Sequence, residues 1–174
     1  METLKSCIDL TEIIDGEEIV GPGPFRRHQR TSGNLYNIIC NYVKARDLGQ
    51  VYYSPLDIIF EEGLNRLQPD LLFVRKENAA IEQDWIRGVP DMVCEIISPG
   101  SYELDTTVKR EIYERYGVPE FWIVLPEFMP SSITVEILTH EGGRYRLHSF
   151  AALDGVVTSK IIEGLHVNVR DIFE

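Results

Sequence analysis

The stretch DMVCEIISP, residues 91–99, decides the fold and raises the first functional question. Its apolar residues form a nearly continuous run, which is typical of a buried strand. Glu95 nevertheless lies in the middle of this run, and burying an isolated carboxylate is costly unless it is paired, hydrogen-bonded or bound to a metal. Side chains alternate along a strand, so Asp91 and Glu95 share one face. We therefore expect Glu95 to meet a partner on that face.

The composition of the whole chain indicates an ordinary globular protein. The chain has 174 residues, of which 44% are hydrophobic and 26% are charged, and we expect a single domain over residues 1–174. No apolar run is long enough to cross a membrane, and no signal peptide is visible. The three cysteines form no CxxC pair, which argues against a disulfide framework or a zinc site. We expect a cytoplasmic protein with no membrane partner.

The charge of the chain restricts how it can meet nucleic acid. The net charge is −11, which disfavours nonspecific binding to nucleic acid over the whole surface. The one dense basic segment is FRRHQR, residues 25–30. It is interpreted either as a solvated loop before a helix or as an edge that contacts phosphate.

The remaining patterns predict an α+β protein. Asp15-Gly16 between apolar flanks predicts a hairpin. Apolar residues from Leu35 to Val43 share one helical face, with Thr31 or Ser32 as the expected cap. The segment QVYYSPLDIIFEEG predicts a strand interrupted by Pro55, and a later helix is expected to end at Gly117. We expect a mixed sheet of about six to eight strands with helices on its faces.

Asp70, in QPDLLFV, is a second carboxylate at the head of an apolar strand. Neighbouring strands can bring Asp70 and Glu95 within a few ångströms of each other, where two carboxylates repel unless a cation lies between them. Mg²⁺ and Mn²⁺ prefer such oxygen ligands. The pair is therefore a candidate metal site. The simpler alternative is that Asp70 ends a turn.

Lys109 is the candidate for a positively charged catalytic group. Asp105, Lys109 and Tyr113 follow at i, i+4 and i+8 spacing, roughly on one helical face. A lysine there can reach back over the end of the strand, where it could hold an attacking water or stabilise a developing oxyanion. Carboxylates and a lysine around a divalent metal suit phosphodiester hydrolysis. The alternative is an exposed lysine paired with Asp105.

These segments, in this order, resemble the Uma-two family of predicted restriction endonucleases. The resemblance is carried by PDLLFV, GVPDMVCEIISPGS, the D…K…Y helix and YGVPEFWIVLPE. EIIDGE, GPGP and the closing IIEGLHVNVRDIF extend it over nearly the whole chain. The family looks like a branch of the PD-(D/E)XK nuclease superfamily. The resemblance implies a restriction-endonuclease-like mixed β-sheet flanked by helices, with extra C-terminal strands.

The resemblance also implies site residues. Asp70 and Glu95 would bind the metal. The superfamily usually has a lysine two residues after the glutamate, but Ile97 stands there, and the resemblance suggests Lys109 instead. Leu125 also departs from the family, which usually has aspartate. The secondary candidates are Asp91 as a further ligand or an acceptor that orients one, Asp105 as an orienting partner of Lys109, Glu12 as an extra acid, His28 as a phosphate contact, and Tyr113.

The function expected from these residues is that of a metal-dependent endonuclease. It would use Mg²⁺ or Mn²⁺ to cut nucleic acid, with DNA as the expected substrate, and a homodimer is expected for cutting two strands. One alternative is a catalytically inactive binding module with the nuclease fold, since the acidic surface could mimic DNA or meet a basic protein. The other is a metal-dependent hydrolase of a small phosphodiester.

Overall fold

The computed structural model describes residues 10–21, 23, 25–126 and 133–174, and it shows an α+β fold of mixed sheets flanked by helices, as predicted. The prediction of one domain over residues 1–174 stays a prediction. The strands are β1 (Thr11–Ile14), β2 (Glu17–Val20), β3 (Gly49–Tyr53), β4 (Ile58–Glu61), β5 (Asn65–Leu67), β6 (Leu71–Arg75), β7 (Ile86–Arg87), β8 (Met92–Ile96), β9 (Glu120–Leu125), β10 (Thr134–Glu141), β11 (Arg144–Ala152), β12 (Val156–Thr158) and β13 (His166–Asn168). The α-helices are α1 (Arg26–Arg46), α2 (Arg110–Tyr116) and α3 (Val169–Phe173).

The strand predicted from DMVCEIISP is β8, and all five of its residues are buried. It lies inside a six-stranded sheet of order β11-β10-β9-β8-β6-β3. β8 runs parallel to β9 and antiparallel to β6, so the sheet is mixed. Met92 and Cys94 join the hydrophobic core beneath α1, whereas Val93 joins the core on the opposite face. Strand alternation places Glu95 on the Val93 side.

Helix α1 begins earlier than predicted. Its first residue is Arg26, Phe25 is the N-cap residue, and no side chain caps it. Thr31 lies inside the helix and is buried, so the predicted cap at Thr31 or Ser32 is wrong. The interpretation of FRRHQR as a loop is also wrong. Arginine and glutamine are good helix formers, and the segment extends α1 by more than one turn beyond its buried apolar face.

The strands divide into more sheets than expected. The predicted hairpin forms β1 and β2, with positive φ at Asp15 (47°) and Gly16 (86°) as a type I′ turn requires. It belongs to a second sheet of order β2-β1-β5-β4-β7. The segment around Pro55 is therefore two strands in two sheets, β3 and β4, rather than one interrupted strand. Proline removes a donor from the ladder, so the chain changes sheets there.

The predicted helix after β8 packs on the Val93 face. A π-helical stretch, Leu104–Lys109, continues directly into α2, and Gly117 ends α2 with φ 74°. Its buried residues include Asp105 and Lys109 as well as Tyr113. The predicted helical end is α3, preceded by the small β12–β13 sheet. Within the described residues, no helix combines the length and the apolar character needed to cross a membrane.

Candidate functional site

Glu95 meets two partners on its face of the sheet. Its side chain is buried, with the residue 2% exposed. The Tyr113 hydroxyl donates a hydrogen bond of 2.6 Å to Glu95 Oε1, and Lys109 Nζ lies 3.4 Å from the same oxygen. Both partners come from the helix that follows β8. The buried carboxylate of Glu95 therefore has partners on its face of the sheet, as predicted, and one of them is the candidate lysine.

Lys109 is the centre of a buried ionic cluster. It is only 5% exposed, so its interpretation as an exposed helix residue is wrong. Lys109 Nζ lies 3.0 Å from Glu12 Oε1 and 3.4 Å from Asp105 Oδ1, in addition to its contact with Glu95. The Lys109 cluster, defined as Lys109, Glu12, Glu95 and Asp105, thus places three carboxylates around one ammonium.

The electrostatics of the Lys109 cluster follow from this imbalance of charge. Burial raises the pKa of Glu95 well above its ordinary value; Lys109 opposes this, and the neighbouring carboxylates add to it. Burial likewise raises the pKa of Asp105. Burial lowers the pKa of Lys109, but Glu95, Glu12 and Asp105 together outweigh burial and raise it. Lys109 is therefore protonated at neutral pH, and the cluster favours additional positive charge.

Asp70 lies beside this cluster because β6 pairs with β8. Leu71 is registered against Cys94, so the residue before β6 meets the end of β8. Asp70 Oδ2 accepts a 2.7 Å hydrogen bond from the backbone N–H of Ile96 and lies 3.1 Å from His28 Nε2. Burial lowers the pKa of His28, but the hydrogen bond and charge of Asp70, together with the charge of Asp105 and a backbone hydrogen bond at Ile96, outweigh burial and raise it.

One cavity of about 190 Å³ joins these side chains. The cavity brings together Asp70, Glu95 and Lys109, and its wall includes three of the secondary candidates, Glu12, His28 and Asp105. Tyr113 reaches the site through its hydrogen bond to Glu95.

The structure does not bring Asp91 to the cavity. Asp91 Oδ2 accepts hydrogen bonds from the backbone N–H of Arg75 (2.9 Å) and from Asn78 Nδ2 (3.0 Å). Asp91 directly precedes β8 and does not line the cavity that Glu95 lines, since four residues of extended chain span about 13 Å. Among the described residues, no contact supports Asp91 as a further ligand or as an acceptor that orients one. Shared parity is not sufficient for contact.

The donor chemistry of the cavity fits a hard divalent cation. Within the described residues, no group of three or more His, Cys, Asp or Glu side chains is arranged to hold a metal ion. The hydrogen bonds that Asp70 and Glu95 accept from described residues nevertheless converge on one oxygen of each, Oδ2 and Oε1. The second oxygen of each carboxylate accepts none from that part of the chain. Two such oxygens suit Mg²⁺ or Mn²⁺, which keep several waters.

The sequence interpretation missed several residues that line the cavity. Ser98 and Ser101 belong to its wall, with their Oγ atoms 2.8 Å apart. The sequence feature that could have identified these two serines is their position in the loop directly after β8. Phe25 and Tyr53 also line the cavity. Phe25 is the first residue of the basic segment FRRHQR, but nothing in the sequence predicts that Tyr53 lines the same cavity.

Comparisons with known proteins identify the family of the chain. The model of the Uma2 family, described as "Putative restriction endonuclease", matches residues 7–170. The chain belongs to this family. The assignment confirms the resemblance and supports a nuclease function. No curated protein matches the chain.

A solved structure shows the same fold as this Uma2 chain. It is described as a "putative nuclease belonging to DUF820" from Anabaena variabilis. The two chains are 20% identical, with a TM-score of 0.74, and the match covers 94% of this chain and 89% of the other. At this identity the likeness shows the fold alone.

Proposed function

We propose that this Uma2 chain is a metal-dependent endonuclease that hydrolyses phosphodiester bonds of nucleic acid, with DNA as the expected substrate. One observation carries the proposal: Lys109 Nζ lies 3.4 Å from Glu95 in a cavity that Asp70 also lines. A buried ammonium beside two carboxylates with oxygens toward one cavity suits phosphodiester hydrolysis. A homodimer and a cytoplasmic location stay predictions.

Asp70 and Glu95 would hold Mg²⁺ or Mn²⁺ in this proposal. When bound, such an ion lowers the pKa of a coordinated water and offsets negative charge on the phosphate. The chain itself fixes the orientation of both carboxylates. The backbone N–H of Ile96 and the His28 ring hold Asp70, and the Tyr113 hydroxyl holds Glu95. Groups that orient metal ligands in this way commonly matter for metal affinity.

Lys109 would supply a fixed positive charge beside the reacting phosphate. Its raised pKa keeps it protonated, so it stabilises developing negative charge or positions a water, and does not act as a base. Glu12 and Asp105 hold its ammonium from two further sides. Charge that is positioned before the reaction needs no reorganisation during it.

The metal site can be tested without knowing the substrate. Calorimetric titration with Mn²⁺ should show binding to the wild type and strongly reduced binding to Asp70→Asn and Glu95→Gln. Asp91→Asn is the matched control, because it removes a carboxylate that directly precedes β8 and does not line the cavity. Equal binding by all four proteins would contradict the assignment of the ligands.

Cleavage assays then separate the possible activities. Wild type and Glu95→Gln are incubated with Mg²⁺ or Mn²⁺ and with plasmid DNA, single-stranded DNA, RNA or a small chromogenic phosphodiester. Cleavage of nucleic acid that Glu95→Gln loses supports the endonuclease. Cleavage of the small diester alone favours the small-substrate hydrolase. Nucleic-acid binding without any cleavage favours the inactive binding module.

A further inference from the structure

Two large aromatic side chains stand exposed at the mouth of the cavity. Phe25 is 65% exposed and Tyr53 is 59% exposed, and both line the cavity that holds Asp70 and Glu95. Phe25 directly precedes α1, and Tyr53 ends β3, so the rings come from two different elements. Exposing most of both rings leaves apolar surface in contact with water, which is unfavourable.

The ring of Tyr53 is held in place although it is exposed. Its centroid lies 4.8 Å from that of Tyr36 at an interplanar angle of 69°, an edge-to-face contact. Tyr36 in turn packs against the hydrophobic core beneath α1. Tyr53 is therefore a positioned platform, and a ligand that stacks on it loses little side-chain entropy in doing so.

Positive charge follows Phe25 in the sequence. Arg26, Arg27 and Arg30 are exposed on the first turns of α1, immediately after Phe25. His28, between them, faces inward to Asp70. These arginines belong to the dense basic segment FRRHQR of a chain of net charge −11, and arginines on the first turns of a helix can contact the phosphates of a bound strand.

We propose that Phe25 and Tyr53 form a stacking site for unpaired nucleotides, so that the substrate of this chain is a single-stranded segment of nucleic acid. This inference rests on the proposed function and names its substrate class. A base inside a duplex has its faces covered by neighbouring bases, and only an unstacked base offers its face to an aromatic ring. The recessed position of Glu95, 2% exposed, also favours a flexible strand that can bend into the cavity.

Equilibrium binding of matched oligonucleotides tests the inference separately from cleavage. The probes are a single strand of about 12 nucleotides carrying one 2-aminopurine, its ribose counterpart, and a hairpin duplex of similar composition. Binding is followed by 2-aminopurine fluorescence in EDTA and in Ca²⁺, which also takes oxygen ligands, and a gel verifies that the probes stay intact. The variants are Phe25→Ala and Tyr53→Ala, with Phe150→Ala as the control for an exposed aromatic residue on β11.

We expect the wild type to bind a single strand more tightly than the duplex, with fluorescence changes that report stacking. Each alanine variant should weaken single-strand binding about tenfold, while Phe150→Ala leaves it unchanged. Phe25→Trp and Tyr53→Phe should retain the affinity, because they keep a ring. Thermal melts verify that all variants fold. The ratio of the affinities for the DNA strand and its ribose counterpart shows which polymer the chain prefers.

The outcomes distinguish the two proposals. Unchanged single-strand affinity in both alanine variants, or an equal loss for single strand and duplex, overturns the stacking site. If duplex cleavage is intact in that case, the endonuclease proposal stands. A wild type that binds no nucleic acid under any condition overturns both.

Discussion

The two ends of the parallel pair β8–β9 bury carboxylates in opposite ways. Glu95 lies near the carboxyl end of β8, and Glu120 begins β9, where it is registered against Met92. Glu120 is 0% exposed and Glu95 is 2% exposed. By burial alone the two glutamates are equivalent.

Their partners distinguish them. Glu120 accepts hydrogen bonds from Trp122 Nε1 (2.7 Å) and Ser159 Oγ (2.7 Å), and from the backbone N–H groups of Lys160 (2.7 Å) and Ile161 (3.1 Å). Four neutral donors thus satisfy both of its oxygens. Glu95 instead shares one ammonium with two other acids. Glu120 is therefore satisfied by neutral donors, whereas Glu95 lies in a cluster in which three carboxylates surround one ammonium.

Removing the shared cation should give the largest effect. Lys109→Met leaves three buried carboxylates without their ammonium, and breaking a buried ion pair typically costs about 3–5 kcal/mol. We expect a large fall in melting temperature without metal, measured by circular dichroism, and partial recovery in Mn²⁺ because a divalent ion can replace the lost charge.

Lys160→Met is the matched control for Lys109→Met. Its ammonium pairs with Glu141 in an exposed ion pair at 2.6 Å, and such pairs contribute little to stability. We expect no change in melting temperature and no response to Mn²⁺ beyond that of the wild type. Equal destabilisation of the two variants would mean that the Lys109 cluster is no more important than a surface pair.

The two glutamates should respond differently to the same substitution. Glu120→Gln places an amide NH₂ among groups that are all donors, and we expect it to lower the free energy of unfolding by about 3 kcal/mol. Glu95→Gln relieves repulsion among carboxylates, and we expect a change within about 1 kcal/mol in the absence of metal. Chemical denaturation of both variants measures the difference. Similar losses of unfolding free energy in both variants would contradict the distinction between Glu120 and Glu95.

The pH dependence of stability should sharpen the same comparison. The pKa of Glu95 is raised above its ordinary value of 4.5, so the folded chain binds this proton more tightly than the unfolded chain. This tighter proton binding stabilises the folded state. The stabilisation is complete below the ordinary pKa of Glu95 and is lost as the pH rises through the pKa that Glu95 has in the folded chain, by at most about 1.4 kcal/mol per pH unit.

Melting temperatures of wild type and Glu95→Gln, measured without metal from about pH 5 to about pH 8, test this sign. We expect the wild type to lose stability relative to Glu95→Gln as the pH rises. A wild type that gains relative stability over this range would show that Lys109 dominates the environment of Glu95.

How much of this arrangement the sequence predicts depends on the distance along the chain. Strand alternation and helical spacing were sufficient to predict that Glu95, Lys109 and Asp105 lie near one another, because these residues belong to two consecutive elements. Glu12 and His28 came only from the resemblance to a family. Their contacts close loops of many residues, and local periodicity carries no information on such closures.

The failures have equally local causes. The argument that singled out Glu95 applies as well to Glu120 in PEFWIVL, and donors such as Ser159 that make Glu120 structural lie some 40 residues away. Parity placed Asp91 on the face of Glu95, but Asp91 precedes the first residue of β8 and contacts Arg75 and Asn78 instead. The separation of β3 and β4 into two sheets depends on where the chain turns around Pro55, which strand propensity does not encode.

Tyr113 offers the most selective test of the difference between the two ends. Its pKa is raised well above the ordinary value, chiefly by burial, so the hydroxyl stays a donor to Glu95. Tyr113→Phe keeps the ring, which packs 5.3 Å from that of Phe121, and removes only the hydrogen bond. We expect a stability change of about 1 kcal/mol and a loss of about tenfold in Mn²⁺ affinity by calorimetry, because the carboxylate is no longer oriented.

Tyr145→Phe is the control that separates the orientation of the Glu95 carboxylate from a general loss of stability in the core. It also removes a buried hydroxyl, which donates to the carbonyl of Val118 at 2.9 Å, but it does so away from the cavity. The two variants should lose similar stability, while only Tyr113→Phe should lose Mn²⁺ affinity. If both lose it equally, the affinity follows the rigidity of the core. If neither loses it, Tyr113 stabilises Glu95 as the donors of Glu120 stabilise theirs, and the two ends of the strand pair are more alike than their charges indicate.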